Sequence, residues 1–317
     1  MASFVKKKCA DVASPKAKKR YTAGDVTFNI INYTVFIIIT ILCVYPFYYL
    51  FINTISSNQL SANGSINWFP QQIQWSNYTA VFQLSGLRDS FIISILRTVI
   101  GTVCTVFASA FLGFMFTQEK MWKRKFWYRF VIITMYFNAG LIPCFIINYN
   151  LGLTNNFWVY ILPAVVQPFN IILVKTYIES TPKSLQEAAA IDGAGVLKIF
   201  AKVVLPISTP ILATIAIFSA VGQWNSFQDT LIYVTDPHLY SLQYLLYNYI
   251  NQANSLAMLI KSNPGLSGNS IANLASQQTP TSIRMTVSVI VIIPILLVYP
   301  FFQRYFVKGI MIGAVKG

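Results

Sequence analysis

The chain has 317 residues, of which 55% are hydrophobic and only 10% are charged, and its mean hydropathy is +0.56. These residues supply too little polar surface to cover a soluble core of this length, so the composition predicts an integral membrane protein. The net charge of +14 does not indicate nucleic-acid binding, because the basic residues lie at segment ends and no basic-aromatic binding module is present.

Residues 1–27 form a basic segment ahead of the first apolar stretch. Its cations are Lys6, Lys7, Lys8, Lys16, Lys18, Lys19 and Arg20. A cleaved signal peptide has a shorter apolar core that ends at small residues, and this segment precedes a full-length span. We therefore predict a solvated cytoplasmic tail over 1–27 and one membrane domain over 28–317.

Six segments are apolar enough to cross a hydrocarbon core, which needs about 20 residues of helix. They cover about 28–52, 90–117, 130–148, 157–178, 205–225 and 283–302. Gly140 and Pro143 predict a bend in the third segment. The predicted fold is an all-α integral membrane protein with six transmembrane helices.

The segments between the spans differ in charge and length. The connection over 228–282 is rich in Asn, Ser and Gln. Its part from Tyr240 to Asn251 predicts an amphipathic helix at the outer surface, and 262–281 predicts a loop. With the N-terminus inside, 19 of the 23 basic residues lie on the cytoplasmic side. The positive-inside rule then predicts that both termini, including the tail over 303–317, are cytoplasmic.

A polar stretch over 181–206 separates the fourth and fifth spans. Pro182 suits a first helical turn, and Ser184 and Glu187 have the spacing of a capping box. Gly193 predicts the end of this helix. The pattern therefore predicts a cytoplasmic helical hairpin, whose second helix carries an apolar stripe. The stripe consists of Val196, Ile199, Phe200 and Val203.

The first helix of the hairpin has the composition of a docking surface. Alanine methyl groups at 188–190 permit close approach of another backbone, and Glu187 and Asp192 offer negative charge to a basic partner. The residues alone leave open the alternative of a plain loop between two spans.

The spacing in this stretch resembles a known family. Its residues are Glu187, Ala188, Ala189 and Gly193, then Val203, Leu205 and Pro206. This pattern is similar to the EAA loop of ABC importer permeases, and Asp192-Gly193-Ala194 matches the form in MalG-like carbohydrate permeases of the LplC and YtcP type. The resemblance covers nearly all of 28–317.

The resemblance implies a type I importer permease of the MetI/MalG-like fold. It implies a heterodimer with a second permease subunit in the lipid of a bacterial plasma membrane, two ATPase subunits and an extracytoplasmic binding lipoprotein that delivers a sugar. The residues that it assigns to ATPase coupling are Glu187, Ala188, Ala189, Asp192, Gly193 and Ala194.

Three absences from the sequence agree with a non-catalytic subunit. No phosphate-binding Gly-rich loop occurs, so ATP and Mg²⁺ are expected on the partner ATPase and no cofactor in this chain. His238 is the only histidine, and the cysteine spacing fits no metal site. No carboxylate lies well inside a span, which disfavours an ion-coupled secondary transporter. An importer of amino acids or polyamines stays open as an alternative.

Several polar side chains are candidates for a translocation path. They are Arg97, Asn138, Gln167, Asn170, Gln223 and Asn225, with the rings of Tyr136, Phe137 and Trp224 as stacking faces. Amides in membrane bundles also bond across helices, so a structural role stays open for each amide. Arg97 lies inside a span, where a cation is costly unless its side chain reaches the membrane surface, pairs with a partner or lines a polar path. Binding of an acidic sugar is one role for it.

Overall fold

The computed structural model describes residues 22–84, 86–262 and 280–309, which are helices joined by turns, with no β-strand among them. Contacts divide the chain into two units, 1–48 and 49–317. The helices are α1 (Ala23–Thr54), α2 (Asn58–Ala62), α3 (Ser76–Phe82), α4 (Leu87–Met115), α5 (Arg124–Tyr136), α6 (Leu141–Asn150), α7 (Pro168–Ser180), α8 (Ser184–Ile191), α9 (Val196–Ile199), α10 (Leu205–Ile207), α11 (Thr209–Asn225), α12 (Gln228–Tyr233), α13 (Leu242–Ser262) and α14 (Pro280–Gly309).

The described part of the first unit is nearly all α1, which continues into the second unit at Tyr49. Its N-terminus is capped locally: the backbone N–H of Thr22 donates to Asp25 at 3.0 Å, and the N–H of Asp25 donates to the Thr22 hydroxyl at 3.3 Å. Residues 23–27, which the sequence assigns to the basic tail, are therefore helical. The remainder of that tail, residues 1–21, lies outside the described residues.

Helix α4 is the centre of the second unit, with α7 and α11 packed against it. Its buried face carries small or polar side chains, among them Ser90, Ser94, Arg97, Gly101, Thr105 and Ser109. Small residues let helices approach closely in a membrane. At Gly113 an added Cβ would lie 2.7 Å from Cγ1 of Val174 in α7, so this contact depends on glycine.

Among the described residues, fewer helices are long enough to cross a membrane than the six that the sequence predicts. In the described part of the chain, α1, α4 and residues 282–300 of α14 are each long and apolar enough to cross a membrane, and two bent pairs raise this number from 3 to 5. The bends are 47° between residues 157–164 and α7, and 80° between 196–207 and α11. The predicted third span is interrupted between α5 and α6, at Gly140 with φ of +86°.

The connection over 228–282, named the outer connection for its predicted side, is more helical than the sequence indicates. It contains α12, a 3₁₀ turn at Pro237–Leu239 and α13, which extends to Ser262, beyond the predicted end at Asn251. Helix α13 packs against α4 and α14, and the N–H of Leu242 donates to the Ser94 hydroxyl at 2.8 Å. The predicted loop after Ser262 falls on 263–279, outside the described residues. Helix α14 continues to Gly309, so part of the predicted C-terminal tail is helical.

Candidate functional site

The hairpin begins as the sequence predicts, but by different local chemistry. Helix α8 starts at Ser184 with Lys183 as its cap residue, and no side chain caps it. The backbone N–H groups of Gln186 and Glu187 donate to the Lys183 carbonyl at 3.0 and 3.1 Å. The predicted capping box of Ser184 and Glu187 is therefore wrong, because Ser184 is already inside the helix and a backbone carbonyl accepts the terminal N–H groups.

Gly193 ends α8 in the way that the sequence predicts. Its φ is +77°, in the left-handed region that favours glycine. The N–H of Gly193 donates to the Ala190 carbonyl at 3.1 Å, and the N–H of Ala194 donates to the Ala189 carbonyl at 3.0 Å. This pair of bonds is a Schellman motif, which satisfies the last carbonyls of the helix. The turn that separates α8 from α9 therefore requires Gly193.

One side of the hairpin is anchored in an apolar cluster. Ile199, Phe200 and Val204 are buried there with Phe114, Val174 and residues of neighbouring helices, and Ala189 and Ala194 pack at its edge. The predicted stripe is not kept in full, because Val196 is 44% exposed. Residues Phe200–Val204 adopt a π-helix, whose wider turn changes the period on which that prediction depends.

The other side of the hairpin is open. Glu187, Ala188 and Asp192 are exposed, and Ile191 beside them is 86% exposed. Neither acid belongs to an ion pair within the described residues. Of the six predicted coupling residues, the structure places Ala189 and Ala194 on the anchored side and leaves the rest on this open side. The arrangement can present negative charge and an apolar side chain to a second protein.

The second candidate site is a cavity of about 310 Å³ between α4, α7, α11 and α12. Four of the six predicted path residues line it: Arg97, Gln167, Asn170 and Gln223. Arg97 lies ten residues after the start of α4, or roughly 15 Å along the helix at 1.5 Å per residue. The cavity therefore lies beside the middle of α4, between that helix and α11.

The Arg97 guanidinium is buried in a polar network that takes four of its five N–H donors. Its side chain is 1% exposed and forms an ion pair with Asp229, at 2.7 Å between Nη2 and Oδ2. Nε and Nη2 also donate to Oε1 of Gln223 at 3.2 and 3.1 Å, and Nη1 donates to the Ser226 carbonyl at 3.1 Å. The ring of Tyr160 lies 4.3 Å from the guanidinium carbon. Arg97 thus has a partner, one of the outcomes that the sequence left open.

The sequence did not identify Asp229 as that partner. Asp229 lies in α12, just beyond the fifth predicted span, and accepts from the Ser226 hydroxyl at 2.7 Å as well as from Arg97. A usable signal was present, because the chain has only 9 acidic residues and a cation inside a span needs a counter-charge. Asp229 is the acidic residue that comes directly after the fifth predicted span, 205–225.

Three residues proposed for the path have other roles. The side-chain Oδ1 of Asn138 accepts from the N–H of Gly140 at 2.9 Å, within the break between α5 and α6. Asn225 accepts from Gln243 at 3.3 Å, outside the cavity. Trp224 is buried, and its Nε1 donates to the Val291 carbonyl at 3.1 Å. Its ring packs in a cluster with Val287 and Val291 of α14 and does not line the cavity.

The described residues contain no group of His, Cys, Asp and Glu that could hold a metal ion. The two candidate sites differ in the groups that they expose. The hairpin offers an exposed face on a fixed support. The cavity offers hydrogen-bonding groups around a neutralised cation.

Comparison with known proteins identifies the family of this chain. Residues 105–312 match the family model described as "Binding-protein-dependent transport system inner membrane component". The permease protein YtcP of a polygalacturonan/rhamnogalacturonan transport system of Bacillus subtilis (strain 168) is 32% identical over 92% of this chain and 98% of its own length. Protein LplC of the same strain is 34% identical over 86% of this chain and 89% of its own length.

A solved structure is similar over nearly the whole chain. It is a bacterial ABC transporter involved in the import of the acidic polysaccharide alginate, with a TM-score of 0.79 and 29% identity, and the match covers 90% of this chain and 99% of that one. The family model covers well over half of the present sequence. The chain therefore belongs to the family of binding-protein-dependent transport system inner membrane components, as a non-catalytic permease subunit of an ABC importer.

Proposed function

We propose that this subunit translocates a sugar or oligosaccharide that an extracytoplasmic binding protein delivers. The support is the polygalacturonan/rhamnogalacturonan system named for YtcP and the alginate importer, both of which handle saccharides. The cavity beside Arg97 agrees with this substrate class, because amide and carboxylate groups in its wall can exchange hydrogen bonds with sugar hydroxyls. In this proposal the cavity is part of the translocation path.

The proposed assembly follows the type I importer plan. This permease pairs with a second, different permease, and two ATPase subunits bind on the cytoplasmic side with ATP and Mg²⁺. Six crossings in the bacterial plasma membrane place both termini in the cytoplasm. The positive-inside distribution supports this orientation, and the two bent helix pairs and the interrupted α5 and α6 supply the crossings beyond the three unbroken helices.

The proposed coupling element is the hairpin of α8 and α9. The observation that carries this proposal is its two-sided character: Ile199 and Phe200 are fixed in the apolar cluster while Glu187 and Asp192 are exposed without ion-pair partners in the described residues. A helix bound on one side to an ATPase and on the other to the bundle transmits movement as a rigid body. Glu187 would pair with a basic residue of the ATPase, and Ala188 would permit close contact.

The proposed mechanism is alternating access driven by the ATPase. Closure of the two ATPase subunits on ATP would move α8 and, through Phe200 and Val204, the cluster on α4, α7 and α11. Such rigid-body movement switches a transporter between inward-open and outward-open states. The solute cavity is built on the same three helices, so the movement would change its opening.

Two glycines in the hairpin give a matched test of coupling. Gly193→Val forces a branched side chain into the left-handed region, which costs about 1–2 kcal/mol or more, and no atom lies within 4 Å of the added Cβ. We expect ATP-dependent sugar uptake into proteoliposomes to fall at least tenfold while the protein still inserts. Gly195→Val is the control, because Gly195 has φ of −68° and ψ of +161°, which valine adopts readily, and is equally open.

Charge reversal of the exposed acid tests the same interface independently. Glu187→Lys should weaken binding of the ATPase subunits, measured by co-purification, because it replaces an attractive contact by a repulsive one. Glu187→Gln should have a smaller effect. Retention of both ATPase binding and uptake in Gly193→Val and Glu187→Lys would show that the hairpin is not the coupling element.

A further inference from the structure

The charge of the cavity wall is balanced within this chain. Arg97 and Asp229 are the charged residues among those that line the cavity, and they form an ion pair with each other. Gln223 and the Ser226 carbonyl take further donors of the guanidinium. A solute in the cavity therefore meets a cation whose charge is already neutralised and whose hydrogen-bond donors are largely occupied.

The groups left free in the wall are suited to hydroxyls. Oδ2 of Asp229 accepts from Arg97 and Ser226, whereas no described residue donates to Oδ1, and the Asp229 side chain is 38% exposed. Asn170 is only 7% exposed and lines the cavity, yet its amide has no hydrogen-bond partner in the described part of the chain. The polar atoms of Asn170 are not among the enclosed side-chain atoms without a partner, so a ligand or water in the cavity can reach them. The free groups thus include an acceptor on Asp229 and both donor and acceptor on Asn170.

A sugar hydroxyl satisfies both kinds of group, since it donates to a carboxylate and accepts from an amide. A carboxylate of the solute does not. It would lie near Asp229, a like charge, and would lose hydration without gaining the Arg97 guanidinium that Asp229 already holds. The volume of about 310 Å³ is at the lower end of the range of roughly 300–1,000 Å³ for small-molecule sites.

We propose that Asp229 determines the charge selectivity of this cavity: by neutralising Arg97 it makes the cavity a subsite for an uncharged, hydroxyl-bearing sugar unit and disfavours a uronate. The inference rests on the proposed function, in which the cavity is part of the sugar path. The inference therefore does not take the substrate from likeness alone, because alginate and polygalacturonan, the saccharides named for two similar proteins, are both acidic. Arg97 is then held as a support for the wall and does not bind an acidic sugar.

The test compares two trisaccharides that differ only at C6 of each ring. The complete importer in nanodiscs, without its binding protein, is titrated with α-1,4-galactotriose and with α-1,4-trigalacturonate, and the ratio of the two dissociation constants is measured. For the wild type we expect galactotriose to bind at least tenfold more tightly. In Asp229→Asn the charge of Arg97 is no longer neutralised, so the ratio should move at least tenfold towards trigalacturonate.

Two further variants separate charge from disruption. Arg97→Gln/Asp229→Asn lacks both charges, and its ratio should return close to that of the wild type. Asp236→Asn removes a carboxylate of the outer connection that binds the His238 N–H and does not line the cavity, so it should leave the ratio unchanged. If Asp229→Asn does not fold, the ratio of the two dissociation constants in the wild type still tests the inference. An Arg97 whose charge is not neutralised would make the wild type prefer trigalacturonate, and high salt would remove that preference.

A wild-type preference for trigalacturonate, or an unchanged ratio in folded Asp229→Asn, would overturn the inference. Binding of neither trisaccharide would overturn it as well, since the cavity would then not be a sugar subsite. The proposed function is tested separately, by ATP-dependent sugar uptake with the binding protein present. If ATP-dependent sugar uptake persists but the ratio of dissociation constants contradicts the expectation, the proposed function stands and only the role of Asp229 is rejected.

Discussion

The hairpin and the cavity wall are stabilised in opposite ways. The hairpin turns apolar side chains such as Phe200 towards the bundle and leaves its acids exposed. The cavity wall buries a cation, Arg97, and neutralises it with Asp229. The first arrangement exposes charge for a partner and keeps its support apolar. The second balances its charge within the chain and leaves part of Asp229 and the amide of Asn170 accessible in the cavity.

The two regions also differ in how far apart their contacts lie in the sequence. The Schellman turn at Gly193 joins residues at most five positions apart. The Arg97 side chain instead bonds to Gln223 and Asp229, at separations of 126 and 132 residues. A local pattern can therefore predict the hairpin, whereas the cavity network depends on how the helices pack.

Removal of Arg97 should have the largest effect on stability. Arg97→Met leaves Asp229 and the Gln223 carbonyl oxygen without their buried donor. Loss of one partner of a buried ion pair costs about 3–5 kcal/mol, and the 38% exposure of Asp229 places the expected loss near the lower end. The measurement is equilibrium unfolding of the purified protein in mixed micelles.

A double variant distinguishes the ion pair from the packing. Arg97→Met/Asp229→Leu removes both charges together, and such replacements are often neutral or stabilising. We expect it to recover most of the stability lost in Arg97→Met. If the double variant is as unstable as the single one, the loss comes from the volume of the Arg97 side chain and not from an uncompensated charge.

Truncation of Phe200 should be the next largest change, and it applies to the hairpin. Phe200 is 5% exposed, with its ring centroid 5.2 Å from that of Phe114. Phe200→Ala should cost about 3 kcal/mol through the cavity that it creates and should lower the uptake obtained per ATP hydrolysed, because the hairpin loses its support. Leu197→Ala is the control, since Leu197 is 67% exposed. If the two variants have equal effects, Phe200 does not anchor the hairpin in the apolar cluster.

The sequence predicts where helices break better than it predicts the angles between the resulting segments. Gly193 and Gly140 each lie at a break that glycine chemistry predicts, and both have positive φ. The angles of 47° and 80° in the bent pairs were not predictable, because a bend angle depends on neighbouring helices. The π-helix at Phe200–Val204 changes the residue period in the same non-local way. Gln167 and Asn170 could be proposed as lining residues because amides are scarce inside spans, but their common cavity required the fold.

The exposed pair of Asp89 and His238 gives the smallest expected effect and completes the contrast with Arg97. It joins the first turn of α4 to the outer connection, at 2.9 Å between Oδ2 and Nδ1, and the His238 side chain is 82% exposed. The hydrogen bond to Asp89, followed by the charges of Asp236 and Asp89, raises the pKa of His238 above its ordinary value of 6.5. The protonated form is therefore the one that the folded state favours.

The sign of the pH dependence follows from that raised pKa. The stabilisation is fully present below the ordinary pKa of 6.5 and is lost as the pH rises through the raised folded value. We expect the melting temperature of His238→Gln to lie slightly below that of the wild type at pH 5.5 and to match it at pH 8.5. Salt should diminish the difference at pH 5.5, because the pair is exposed to solvent. A difference that grows with pH would mean that neutral His238 is the stabilising form, and the pair would then differ from Arg97 and Asp229 in kind as well as in burial.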